Sequence, residues 1–162
     1  MTKLFKGPKN SITDIDGFLV GNAHDDHIKS GATVLTRLTS FRASVSILGG
    51  APGTKETDLL SPDKIVENID GIVLAGGSAF GLDASSGVMD CLRSQNRGFD
   101  TGAIRVPIVP SAILFDLKNG GFKEWSVNPY RELGQNAFLK VSDTFEIGSE
   151  GAGCGATTSV VK

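Results

Sequence analysis

The sequence predicts a single α/β domain over residues 1–162. Two segments, 31–38 and 43–48, alternate β-branched or apolar residues with polar ones at period two, as half-buried strands do. A five-residue run, Gly71-Ile72-Val73-Leu74-Ala75, fits a buried strand and passes through Gly76-Gly77-Ser78 into residues spaced as on a helix. With 162 residues, 40% of them hydrophobic and 21% charged, the chain can bury one core, and no repeat or linker divides it.

The remaining elements follow in chain order. Residues 12–20 read as a first strand with a turn at Asp16-Gly17, and this strand is expected beside those at 31–38 and 43–48. Gly49-Gly50-Ala51-Pro52-Gly53-Thr54 concentrates turn formers. Ser61-Pro62-Asp63 offers a capping serine and a first-turn proline, which predicts a short helix ending near Asn68. From Ala79 onward, Leu82, Ser86, Met89 and Leu92 recur about 3.6 positions apart, predicting a helix up to Gly98. Residues 106–117 are apolar but carry Pro107 and Pro110, as an edge strand does, or a strand preceded by extended chain. Residues 123–133 read as an irregular connection and 135–142 as a short helix. The chain closes on a run dominated by small residues, 148–159.

Composition removes several classes of function. Glycine, at 21 of 162, is roughly 13% against a usual ~7%, yet it follows no Gly-X-Y period, so collagen and low-complexity disorder are excluded. A net charge of -2, from 16 Lys and Arg against 18 Asp and Glu, provides no basic patch for a nucleic acid. No apolar run approaches the ~20 residues that span a bilayer, so no membrane partner is expected. Cys91 and Cys154 stand far apart in no paired motif, and the N-terminus has no apolar core of a leader, which fits a reducing, cytoplasmic setting.

Three segments invite chemistry. Gly76-Gly77-Ser78 ends a strand and opens a helix, and on spacing alone reads first as a tight turn with Ser78 as cap, while amides without helical partners there could hold a carboxylate or an oxyanion. The 49–55 cluster departs from a phosphate-binding loop, because Thr54 separates Gly53 from Lys55 and Glu56 stands where a Ser or Thr is needed. The run Gly151 to Ala156 lacks the last glycine of a dinucleotide fingerprint, and no strand leads into it. His24-Asp25-Asp26-His27 places two imidazoles and two carboxylates in four positions, but such a turn is more often simply solvated. Neither a metal nor a cofactor is expected.

Five segments taken in order resemble one family. They are Arg42 to Val45 leading into Gly49 to Leu60, then Leu74 to Ala84, Arg97-Gly98-Phe99, Val106 to Pro110, and Gly151 to Ala156. The family is that of the L-aminopeptidase/D-amidase-D-esterases, with the β-peptidyl aminopeptidases and nylon-oligomer hydrolases. The resemblance implies a four-layer αββα sandwich, shared with ornithine acetyltransferases and incomplete here. It also implies a precursor that cuts itself ahead of a Ser or Thr, whose new α-amine and hydroxyl then attack amide bonds. An α-amine suits that role because its pKa, about 8, lies near working pH.

On this resemblance the chain is the large-subunit part of a self-processing amide or peptide hydrolase. The nucleophile is expected on a C-terminal segment that is a partner to this chain, within a homo-oligomer of processed protomers acting on a peptide or amide small molecule. Carried over position by position, Gly76, Gly77, Ser78 and Phe80 form the substrate-binding motif. Phe80 stands where characterised members often have Tyr, which leaves an apolar wall. Ser149 aligns with an oxyanion-type Asn, and Lys118 is a candidate for a lysine that some nylon-oligomer hydrolases place after the Pro-Ile-Val-Pro strand. The departures at Phe80 and Ser149 also imply an alternative, a catalytically inactive remnant or binding module of the same fold.

Overall fold

A computed structural model describes residues 5–157. Its centre is a five-stranded sheet built from β1 (Leu19–Asp25), β2 (Ser30–Phe41), β3 (Thr54–Lys55), β4 (Ile69–Ala75) and β7 (Ser111–Ile113), in the spatial order β1-β2-β4-β7-β3. β5 (Phe99–Asp100) and β6 (Arg105–Val106) form a separate two-stranded ribbon. β1, β2 and β4 are antiparallel neighbours, whereas β4 and β7 run parallel. The crossover between those two parallel strands contains α1 (Ala84–Ser94), and α2 (Tyr130–Leu139) packs against α1 and β1.

Alternation along the strands sorts the two faces. Ala32, Val34, Val73 and Ala75 point to one face, where they join Val88 and Leu92 of α1 with Leu133, Ala137 and Phe138 of α2 in one buried cluster. Their neighbours Thr33, Leu35, Ile72 and Leu74 point to the opposite face, where Leu74 is 49% exposed. Both α-helices lie on the first face, as the cluster shows. A short 3-10 turn at Gly151–Gly153 sits against β1 and β2 on the second, its Ala152 amide donating to Thr33 Oγ1 at 3.0 Å.

The helices meet at two glycines. A Cβ on Gly87 of α1 would collide with the Arg131 carbonyl, and one on Gly134 of α2 with the Ala84 carbonyl. The pair therefore packs backbone to backbone, and Arg131 with Asp90 closes the exposed seam through hydrogen bonds of 3.0 Å from Nε and Nη2.

Several expectations are corrected. Residues 12–20 hold a 3-10 turn at Ile12–Asp14, capped by Ser11, and the strand itself begins only at Leu19. Residues 43–48 form no strand: the segment pairs with none of the described strands, and Val45, Ile47 and Leu48 are exposed, so its alternation has no buried face to support it. Residues 61–68 form no helix. The short 3-10 turn there is Asp58–Leu60, and Ile65 is 91% exposed, so the segment has no buried face to support a helix. The helix expected from Ala79 opens as a 3-10 turn at Ser78–Asp83 and becomes α1 at Ala84.

Of the two readings of the apolar stretch after Arg105, the structure shows the strand preceded by extended chain and not the edge strand. β7 lies between β4 and β3, preceded by extended chain through Pro107 and Pro110 whose carbonyls still serve the sheet, with Asp70 N bonding Ile108 O and Val73 N bonding Pro110 O. α2 begins five residues earlier than the helix expected at 135–142, because Asn128 Oδ1 accepts the Tyr130 amide at 2.9 Å just ahead of Pro129's first turn. The end of the small-residue run, 158–159, and Val160-Val161-Lys162 lie outside the described residues.

The glycine contact between the helices sets a stability expectation. Alanine at Gly87 gains helix propensity of about 1 kcal/mol but places a methyl into a carbonyl that cannot retreat, so Gly87→Ala should be destabilising by about 2 kcal/mol net. A thermal melt should show Tm lower by about 5 °C; an unchanged or higher Tm would contradict the backbone contact.

Candidate functional site

The carboxyl end of β4 runs into Gly76, Gly77 (φ +81°) and Ser78 (φ +54°), two successive left-handed residues that turn the chain sharply toward α1. Glycine is required here on two counts. A Cβ on Gly76 would strike the Asp116 carboxylate and the Ser30 hydroxyl, and one on Gly77 the Tyr130 ring. The turn is thus packed directly onto a buried polar cluster.

Asp116, 1% exposed, is the centre of that cluster. Its Oδ1 accepts the Gly77 amide at 2.7 Å, and its Oδ2 accepts the Ser30 hydroxyl at 2.6 Å. The Ser30 oxygen in turn accepts the Tyr130 hydroxyl at 2.7 Å. No cation among the described residues lies within ion-pair distance of this carboxylate, so neutral donors alone compensate its burial. Burial, with the Asp116 carboxylate nearby, pushes the Tyr130 phenol up to about 12 although the Ser30 hydrogen bond pulls the other way.

The amides of the turn are committed inside the fold. Gly76 N–H donates to Gly31 O at 2.9 Å, Gly77 N–H to Asp116, and Ser78 N–H to Leu114 O at 3.0 Å. These three donors are therefore occupied, and no side-chain cap forms at the start of the following 3-10 turn. What the turn presents outward is Phe80, 50% exposed, edge-on to Trp125 at 4.9 Å between centroids. Trp125 is itself edge-on to Tyr130 at 6.4 Å, and Asn128 Nδ2 donates to Phe80 O at 3.1 Å, so the apolar wall is anchored to the polar cluster behind it.

The closing glycine run reaches the same end of the sheet. Gly31, which accepts from Gly76, could carry no Cβ because the Gly151 carbonyl occupies that space. Asn119 Nδ2 ties Lys29 O at 2.6 Å to Gly155 O at 3.0 Å. Ser149 lies exposed just before the Gly151–Gly153 turn, and Lys118 lies exposed two residues past Asp116. The glycine clusters 76–77 and 151–155, Ser149 and Lys118 are thereby carried by segments joined around the start of β2.

The histidine segment divides. His24 Nδ1 sits 3.2 Å from Glu150 Oε2, while His27 stacks on Phe122 at 4.9 Å. No group of three or more His, Cys, Asp or Glu among the described residues could hold a metal ion. Cys154 is buried, and burial together with Asp26 and Glu150 pushes its thiol up, which disfavours the thiolate a nucleophile needs. No helix among the described residues is long and apolar enough to cross a membrane.

Sequence reading did not single out Ser30, Asp116, Tyr130 or Trp125. Asp116 alone carried a signal, as the single charge within the apolar stretch 106–117. The partners come from positions 30, 77 and 130, separations that no local pattern reports.

Comparison with known proteins places this geometry. The family model for peptidase family S58 matches residues 10–162. The chain belongs to peptidase family S58. It is 41% identical over 175 residues to an uncharacterized aminopeptidase of Mycobacterium leprae (strain TN), covering 98% of this chain and 48% of that protein. It is 33% identical over 151 residues to a 6-aminohexanoate-oligomer endohydrolase of Paenarthrobacter ureafaciens, covering 91% of this chain and 39% of that protein. The L-aminopeptidase D-Ala-esterase/amidase of Ochrobactrum anthropi, described as a variant of the Ntn hydrolase fold, superposes with a TM-score of 0.69 at 18% identity, over 98% of this chain and 47% of that one. A protein of Pyrococcus horikoshii OT3 gives 0.71 at 18% identity, over 97% and 48%. The S58 chain described here thus shares the fold of these structures and spans about half the length of the curated relatives it matches.

Tyr130 is the only tyrosine of this S58 chain, so phenolate absorbance reports it alone. Its titration midpoint should lie near 12 in the folded protein and near ~10 once unfolded. Because the folded value is the higher, the stabilisation is complete below the unfolded value and is lost as pH rises through the interval. A folded-state midpoint at the unfolded value would contradict the buried cluster.

Proposed function

We propose that this chain is the large-subunit part of a self-processing amide or peptide hydrolase of aminopeptidase type, and that its Ser or Thr nucleophile is borne by a C-terminal segment beyond residues 1–162. The observation that carries this reading is the second face of the sheet. Thr33, Leu74, Ala112 and Ala152 line an open groove of about 330 Å³ there, beside the turn that holds Phe80. A second sheet laid on this face would complete a four-layer αββα sandwich and exclude water from the groove. The names of the relatives and the share of their length that this chain spans support the same reading.

In this arrangement the chain contributes position and surroundings, and the partner segment contributes the nucleophile. The new α-amine, with a pKa of about 8, would accept the proton of its own hydroxyl as that oxygen attacks the amide carbonyl. Phe80, braced by Trp125, offers an apolar wall to the substrate side chain. Ser149 would donate a hydrogen bond to the developing oxyanion, and Lys118 would supply a positive charge from the segment after Asp116. Gly76, Gly77 and Ser78 serve substrate binding by setting the position of Phe80, since their own amides are committed within the fold.

Mass spectrometry of the protein isolated from its own gene should find a companion polypeptide beginning with Ser or Thr. The pair should release p-nitroaniline from aminoacyl-p-nitroanilides. Phe80→Ala should raise KM roughly tenfold, the loss of about 1.4 kcal/mol of apolar contact, with kcat less affected. A companion chain with no turnover would favour the inactive binding module, and absence of any companion would overturn the reading altogether.

A further inference from the structure

A second cleft lies on the other side of the sheet. It encloses about 420 Å³ between α1 and the extended chain 106–109, within the size range of small-molecule pockets. Met89, Val106, Pro107, Ile108 and Val109 make it apolar, and Lys55, Glu56, Asp90 and Arg131 supply its charges. Lys55 belongs to β3, and its side chain crosses the helix-side face to reach α1, so the cleft is separate from the open face beside Phe80.

The charges in this cleft are not equally engaged. Arg131 is committed to Asp90 by two hydrogen bonds of 3.0 Å, and Gln135 also donates to Asp90 at 3.3 Å. Lys55 Nζ, by contrast, is held by two neutral oxygens, Ser85 Oγ at 2.9 Å and Ser86 Oγ at 3.0 Å. No carboxylate among the described residues lies within 4.0 Å of it. Glu56, the next residue, is exposed at a left-handed backbone position, φ +60°, rather than folded back onto the ammonium. A half-buried ammonium given only hydroxyls retains a donor hydrogen and an unneutralised charge, both of which an anion would satisfy.

The apolar wall cannot take over that role. Pro107 has no N–H, and the Ile108 amide is committed to Asp70 Oδ2 at 2.9 Å. A ligand lying along this wall therefore gains apolar contact from its body and a directed, charged contact from Lys55. We propose that the cleft binds a small monocarboxylate with an apolar body, its carboxylate on Lys55 and its chain against Met89 and the 106–109 segment. This site is independent of the hydrolase reading, because it needs neither the nucleophile nor the open face.

The test is a heteronuclear NMR titration of the protein with hexanoate, using hexanamide as its uncharged counterpart. Hexanoate should give saturable shifts in the amides of Lys55, Met89, Ile108 and Val109, and hexanamide should bind at least tenfold more weakly. Lys55→Met should reduce hexanoate affinity at least tenfold. Met89→Trp, which fills the cleft and leaves Lys55 in place, should do the same, so the proposal stays testable if the first variant unfolds. Equal affinities for acid and amide, saturable shifts confined to other residues, or no saturable shift at millimolar hexanoate would each overturn it.

Discussion

A buried carboxylate organises this molecule. Asp116 accepts one hydrogen bond from the backbone of the turn after β4 and another from Ser30 at the start of β2, and through Ser30 it reaches Tyr130 at the start of α2. Two segments meet on its two oxygens, and a third, a hundred positions beyond Ser30, joins through the Ser30 hydroxyl. Removing one donor would leave part of a buried anion unsatisfied, an expensive outcome in a low-dielectric interior, so the network holds together or fails together. The glycines follow from it, since Gly76 and Gly77 must lie flat against Asp116, Ser30 and the Tyr130 ring.

From that fixed end the remaining geometry propagates. With β4 and β7 locked side by side, the crossover puts α1 on one face, and Gly87 and Gly134 let α2 press against it backbone to backbone. Both α-helices are thereby used on one side of the sheet, and among the described residues the other side keeps Leu74 half exposed beside the Gly151–Gly153 turn. The asymmetry is what an S58 chain spanning about half of its relatives' length would show if another layer belongs there.

Legibility in the sequence followed locality. The buried strand 71–75, the glycine turn and the helix after it could be read because each signal lies within a few residues and agrees with its environment. Ser61-Pro62 reads as a helix start and Asn128-Pro129 as part of an irregular connection, yet only the second starts a helix, because Leu133, Ala137 and Phe138 behind it are buried in the core and Ile65 is exposed. The alternation at 43–48 is a β pattern whose apolar positions, Val45 and Ile47, stay exposed among the described residues. At the site, the motif residues Gly76, Gly77 and Phe80 were visible, whereas the partners that explain them, Ser30 and Tyr130, are ordinary in their local sequence.

Amide hydrogen exchange at Gly77 tests the central role of Asp116 most directly. In the native protein the Gly77 amide should exchange as slowly as those of β4, and in Asp116→Ala it should lose that protection while Val34 and Val73 in the sheet centre keep theirs. Rapid exchange of Gly77 in the native protein, or protection unchanged by the substitution, would contradict the account.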